Sequence, residues 1–113
     1  MENSINDTPF WKICIDNPFK NCDKIYPIQQ KKVRALIDEI LSNAPDVESI
    51  IIFGSSVTQK CYVGSDIDIF VQTKSQNELI RKYFPFKYDL WTERTVDKRL
   101  KNEILKTGVV VYG

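Results

Sequence analysis

The stretch "IIFGSSVTQKCYVGSDIDIFV", residues 51–71, carries two β-branched apolar runs separated by a Gly-Ser turn and a polar loop. Ser49 to Phe53 is short, apolar and isoleucine-rich, the pattern of a buried strand. Asp66 to Gln72 predicts a second strand, in which Ile67, Ile69 and Val71 share one face and Asp66 and Asp68 share the other. Gly54 to Ser56 forms the turn between them, and Val57 to Lys60 has room for one helical turn. The two aspartates need a reason. Asp is depleted in strands. Two carboxylates on one face repel each other, and apolar surroundings make both harder to ionise. Either that face is open to water, or a divalent cation removes the repulsion.

Working outward, Val33, Leu36, Ile37, Ile40 and Leu41 recur at helical spacing between Ile28 and Asn43, and Pro45 opposes continuation. Downstream, Ser75 to Phe84 predicts a short helix with Leu79, Ile80 and Tyr83 on one side. Phe86 to Trp91 predicts a third strand, with Phe86, Tyr88 and Leu90 on one face and Lys87, Asp89 and Trp91 on the other. Thr95 is placed to cap a helix that reaches Lys106 and stops at Gly108, and Val109 to Tyr112 predicts a last strand. The order helix, strand, strand, helix, strand, helix, strand gives a mixed α/β or α+β domain over residues 28–113. Residues 1–27 lack a period and carry Pro9, Pro18 and Pro27 with apolar points at Phe10, Trp11, Ile13, Ile15 and Phe19. They predict an N-terminal arm that packs on the domain or on a partner.

Composition narrows the chemistry. The 113 residues suit one domain, and 42% hydrophobic with 27% charged residues gives an ordinary globular balance. A net charge of +1 gives no electrostatic reason to expect a nucleic acid or a membrane surface as partner. Cys14, Cys22 and Cys61 are an odd set without a C-x-x-C pair, which argues against a disulfide framework and a zinc site and fits a reducing cytoplasm. No apolar run is long enough to span a bilayer, and no signal-peptide pattern opens the sequence. There is no histidine, so imidazole triads, His-ligated metals and His bases are excluded and acid–base or metal chemistry falls to carboxylates.

Asp89 is a third acid in an apolar strand, again opposite the apolar face. If its strand neighbours that of Asp68, three carboxylates converge, an arrangement suited to two Mg²⁺ ions about 3.5–4 Å apart. Gly54 lets backbone approach a ligand, N–H groups at the start of a short helix attract anions, and the Ser55 hydroxyl is a donor to phosphate. Ser56 and Ser65 read either as further ligands or as loop polar groups. Plainer readings stand beside these: a solvated strand face for Asp66 and Asp68, an exposed acid beside Lys87 for Asp89, an ordinary turn at Gly54 and Ser55. Tyr88 and Trp91 either stack on a base or pack, and Lys98, Arg99 and Lys101 form a solvated helix face.

Gly54-Ser55, ten residues, then Asp66-Ile67-Asp68 resembles the signature of the DNA polymerase β-like nucleotidyltransferase superfamily. The length, Asp89 in "FKYDLW" and the ending "LKNEILKTGVVVYG" resemble its minimal nucleotidyltransferase branch. The resemblance covers residues 28–113. It implies a mixed β-sheet with helices packed on one face, and Mg²⁺-dependent transfer of a nucleoside monophosphate, AMP from ATP, to a hydroxyl of a protein or small molecule. By position, Asp66 and Asp68 would bind the metals, Asp89 would complete the site and favour deprotonation of the attacking hydroxyl, and Gly54 and Ser55 would hold the β,γ-phosphates. Many minimal members have Arg directly after the Gly-Ser pair and a second basic residue two further on. Ser56 and Thr58 stand there, which implies weaker triphosphate affinity or turnover unless Lys60 or an N-terminal Lys substitutes. Members often act beside a helical HEPN-domain protein as a toxin–antitoxin pair, the transferase adenylylating the toxin. The competing expectation is a catalytically weak or inactive antitoxin that masks a helical partner. An antibiotic-modifying type of transferase would need a helical lobe that this sequence does not supply. Homo- and hetero-oligomers are both open.

Overall fold

A computed structural model of the chain describes residues 14–44, 46–57, 66–74 and 87–113. The expected helix from Ser75 to Phe84, the turn from Thr58 to Lys60, Ser65, Cys61 and residues 1–13 lie outside the described residues. Helix α1 (Pro27–Asn43) opens on a proline at its first position, where a missing N–H costs nothing and the fixed φ is already helical. It closes with the Ala44 N–H bonded to the Ile40 carbonyl. Strands β1 (Val47–Phe53), β2 (Ile67–Thr73), β3 (Tyr88–Thr92) and β4 (Val109–Tyr112) form one sheet in the order β3-β2-β1-β4. β1 is antiparallel to both β2 and β4, while β2 and β3 are parallel, so the sheet is mixed and the domain is α+β. Among the described residues no helix is long and apolar enough to cross a membrane.

The alternation expected from sequence holds and decides both faces. Ile50, Ile52, Ile67, Ile69, Val71 and Val111 point to α1, where Val33, Leu36 and Ile37 meet them. Ile51, Phe53 and Phe70 point the other way, with Trp91 and Val110 packed beside them. Helix α2 (Lys98–Thr107) covers this second face with Ile104 and Leu100. The described helices therefore divide between the two faces, where the resemblance implied one. Phe70 and Trp91 make the second face as apolar as the first over its middle, and an amphipathic helix buries it.

Three local expectations change. Asp97, not Thr95, caps α2, accepting from the Leu100 N–H at 2.7 Å. Thr95 instead closes a turn on Thr92, its hydroxyl accepting from the Thr92 N–H at 2.8 Å. Gly108 does stop the helix, with its N–H on the Ile104 carbonyl at 2.7 Å, but φ is −74° and the reason for glycine is space. A Cβ there would lie 2.5 Å from Ile51 Cγ2 and 2.6 Å from the Ile104 carbonyl oxygen. Lys101 is not simply solvated: it pairs with Glu93 at 2.9 Å, and Glu93 bonds Gln72, which accepts from Ser49. This polar row crosses the sheet at the end away from Asp68.

The described part of the arm packs on the domain. Phe19, Cys22 and Ile25 are buried in the α1 core, so Phe19 is not an exposed apolar point. Gln30, itself buried, donates to the Cys22 and Ile25 carbonyls at 3.0 Å each, and the Asn21 amide donates to the Val110 carbonyl at 2.7 Å. Asn21 holds a positive φ of 60°, a conformation that asparagine tolerates better than most residues.

Candidate functional site

The register of the sheet builds the site. Phe53 on β1 faces Asp68 on β2, and Asp68 faces Asp89 on β3. A parallel pair sets the two carboxylates side by side on the α2 face of the sheet, beside the end of β1. Asp66 lies just before β2 and is exposed. β1 runs directly into the 3₁₀ turn Gly54–Val57. Gly54 has φ +76°, a left-handed conformation that glycine adopts without penalty. A side chain there would also collide with the Asp68 carboxyl, so backbone and carboxyl approach closely only because the residue is glycine.

The electrostatics follow from this geometry. Asp68 is half-buried, and its carboxyl is pushed up to about 6, first by loss of water, then by the charge of Asp89, the charge of Asp66 and a hydrogen bond shared with Asp89. All four act in the same direction. Glu93, by contrast, is held below its ordinary value by its hydrogen bond from Lys101.

The predicted site residues separate accordingly. Asp68, Asp89 and Gly54 come together; Asp66 acts on Asp68 through its charge from the strand entrance. Ser55 is half-buried in the turn, while Ser56 is fully buried and its Oγ has no hydrogen-bond partner among the described residues. Ser65 lies outside the described residues. Trp91 packs in the second core, and its buried Nε1 is likewise unpartnered among the described residues. Among the described residues no group of three or more acids or thiols closes tightly enough to hold a metal ion. Asp68 and Asp89 are nonetheless hard oxygen donors that share one spot, and a divalent cation there would remove the repulsion that raises Asp68.

Sequence patterning missed one contributor. The Tyr26 N–H donates to the Ser56 carbonyl at 2.9 Å, joining the arm to the turn. The only sequence signal was the spacing of Phe19, Cys22 and Ile25 by threes, the period of a 3₁₀ turn, which Cys22–Lys24 forms.

A family model described as Polymerase beta, Nucleotidyltransferase matches residues 36–113, more than half of the chain and all four strands. No curated protein matches the sequence.

Proposed function

The chain belongs to the polymerase β nucleotidyltransferase family, and we propose that it moves AMP from ATP, in a Mg²⁺-dependent reaction, to a hydroxyl group, the hydroxyl oxygen bonding the α-phosphorus as the bond to the β-phosphate breaks and pyrophosphate leaves. Nucleotidyl transfer is the family's chemistry, and a nucleotide is the substrate class it implies. The observation that carries the finer proposal is the pairing of Asp68 with Asp89 in register beside Gly54. Asp66, Asp68 and Asp89 would hold Mg²⁺, which when bound would neutralise phosphate charge and favour ionisation of the attacking hydroxyl. Gly54 lets the turn backbone lie against the Asp68 carboxyl, so a phosphate held by the turn would stand beside the carboxylates. Ser55 donates its hydroxyl to the β,γ-phosphates. Asp89 orients the acceptor hydroxyl and takes its proton, a role no histidine is present to fill.

The acceptor we propose is a hydroxyl of a helical, HEPN-type partner protein in the cytoplasm, on the resemblance to the minimal branch and on the cysteine usage. A second reading, an antitoxin that masks such a partner without catalysis, is favoured by a buried Ser56 where many minimal members carry Arg. ATP labelled at the α-phosphate separates them. Transfer of label in Mg²⁺ by the wild type, and none by Asp68→Asn, supports the enzyme. No label from the wild type on the partner or on small hydroxyl acceptors supports the masking role.

A further inference from the structure

We propose that the strap from Phe19 to Tyr26 is the positioning element of the Gly54–Val57 turn, and that it acts through the backbone N–H of Tyr26. The consequence for nucleotide binding rests on the transferase function proposed above. The turn is anchored at its far end by Val57, which packs against the α1 core, and Ser55 has an interaction of its own. It leaves β1 through a glycine with φ +76°, the most permissive joint available. Its buried Ser56 hydroxyl has no partner among the described residues, so no side-chain hydrogen bond from Ser56 fixes it. The Ser56 carbonyl accepts from the Tyr26 N–H at 2.9 Å. Ser56 is 0% exposed, so water cannot replace that bond.

The strap, in contrast, is held at several points. Phe19, Cys22 and Ile25 are buried against α1 and the sheet. Cys22 and Ile25 bond back to the Phe19 and Cys22 carbonyls at 3.1 Å each. Gln30 on α1 donates to the Cys22 and Ile25 carbonyls, and Asn21 donates to the Val110 carbonyl on β4. Pro27 then fixes the next φ as α1 begins. A rigid strap thus carries one inward-pointing donor to the buried middle of the turn, between the glycine joint and the Val57 anchor, and so helps to set where Ser55 stands relative to Asp68. The strap precedes residue 36 and lies outside the part matched by the family model.

The backbone angles permit a clean test. Tyr26 has φ −54° and ψ 133°, which proline adopts, and Ile25 has ψ 137°, which the residue before proline prefers. Tyr26→Pro therefore deletes the N–H with little other backbone change. The Tyr26 side chain has interactions of its own, so Tyr26→Ala, which keeps the N–H, is the reference. Relative to Tyr26→Ala, Tyr26→Pro should speed amide exchange over residues 54–57 about tenfold while leaving residues 109–112 unchanged, and should weaken Mg²⁺-ATP binding by calorimetry about tenfold, the scale of one hydrogen bond. Equal exchange over residues 54–57 in the two variants, or equal acceleration of both segments, overturns the proposal. Should Tyr26→Pro fail to fold, Gln30→Met decides instead, by the same selective exchange over residues 54–57 or its absence. A wild type that binds no Mg²⁺-ATP overturns the transferase function, while the exchange comparison still decides whether the strap positions the turn.

Discussion

Asp68 is a carboxyl seated where its charge is opposed from three sides, by partial burial, by Asp89 and by Asp66. Its value of about 6 in the fold, against 3.8 for a free side chain, means that the folded chain holds a proton the unfolded chain has lost between those limits. Stability therefore falls as pH rises from about 4 to 6, and the penalty persists at pH 7. On a half-exposed group, after allowance for solvent screening, this is worth about 1–2 kcal/mol. Asp68→Asn should raise stability by that amount at pH 7 and flatten the curve between pH 4 and 6, because an amide can donate permanently to Asp89; urea unfolding at pH 4 and pH 7 checks it. Glu93 works in the opposite direction and lower: its carboxyl is depressed, so its contribution is present above about 4.5 and is lost on acidification. In function the same substitution should weaken Mg²⁺-ATP binding and abolish transfer. Asp89→Asn should leave binding within a fewfold and slow transfer by roughly 10²-fold or more, the scale of lost acid–base help; turnover near wild type would remove Asp89 from the proposed site.

At the scale of elements, the two ends of α2 are fixed by the Asp97 cap and by the close approach of Gly108 to Ile51. Asp97→Ala should cost about 1 kcal/mol, as the loss of an N-cap does. Gly108→Ala should cost more, because the new methyl group meets Ile51 and a carbonyl at a position that cannot retreat; thermal melts of the two variants rank them. These elements also mark what the sequence could disclose. The alternation of Ile67, Ile69 and Val71 against Asp66 and Asp68 made β2 and its acid face legible, and the third acid followed from the same period in β3. Alternation tells which residues share a face but not which helix covers it, so α2 on the Phe70 face was not legible. Thr95 and Asp97 are both good caps two residues apart, and only the path of the chain out of β3 selects Asp97. Gly54 was read as permitting a phosphate to approach; that its missing side chain also makes room for the Asp68 carboxyl depends on strand register. Tyr26 itself carried no signal beyond the spacing of Phe19, Cys22 and Ile25 before it, because a backbone donor is chemically the same in every residue but proline.

At the scale of the whole molecule, the arm expected to pack on the domain or on a partner includes Phe19 and Cys22, which are buried in the core of the domain. Phe19 is 8% exposed and Cys22 2%, and the carbonyl of Cys22 is one of two that satisfy the buried Gln30 amide. Deleting residues 1–24 would empty the Phe19 site and strip that partner from Gln30. Loss of a buried Phe alone costs about 3–5 kcal/mol, and a buried donor left half-satisfied adds to it. Against a total of about 5–15 kcal/mol for a domain of this size, the truncated chain should unfold at a far lower urea concentration than the full chain, or not fold at all. Phe19→Ala in the full chain should reproduce most of the effect, since the ring packs in the core and lies 5.9 Å from the Arg34 guanidinium. A truncated chain with an unchanged urea midpoint would mean that the strap rests on the fold without supporting it. The residues matched by the family model begin at 36, within α1, so a fragment cut to that match would also lose Ile25 and Val33 from the same core and should be the least stable of the three.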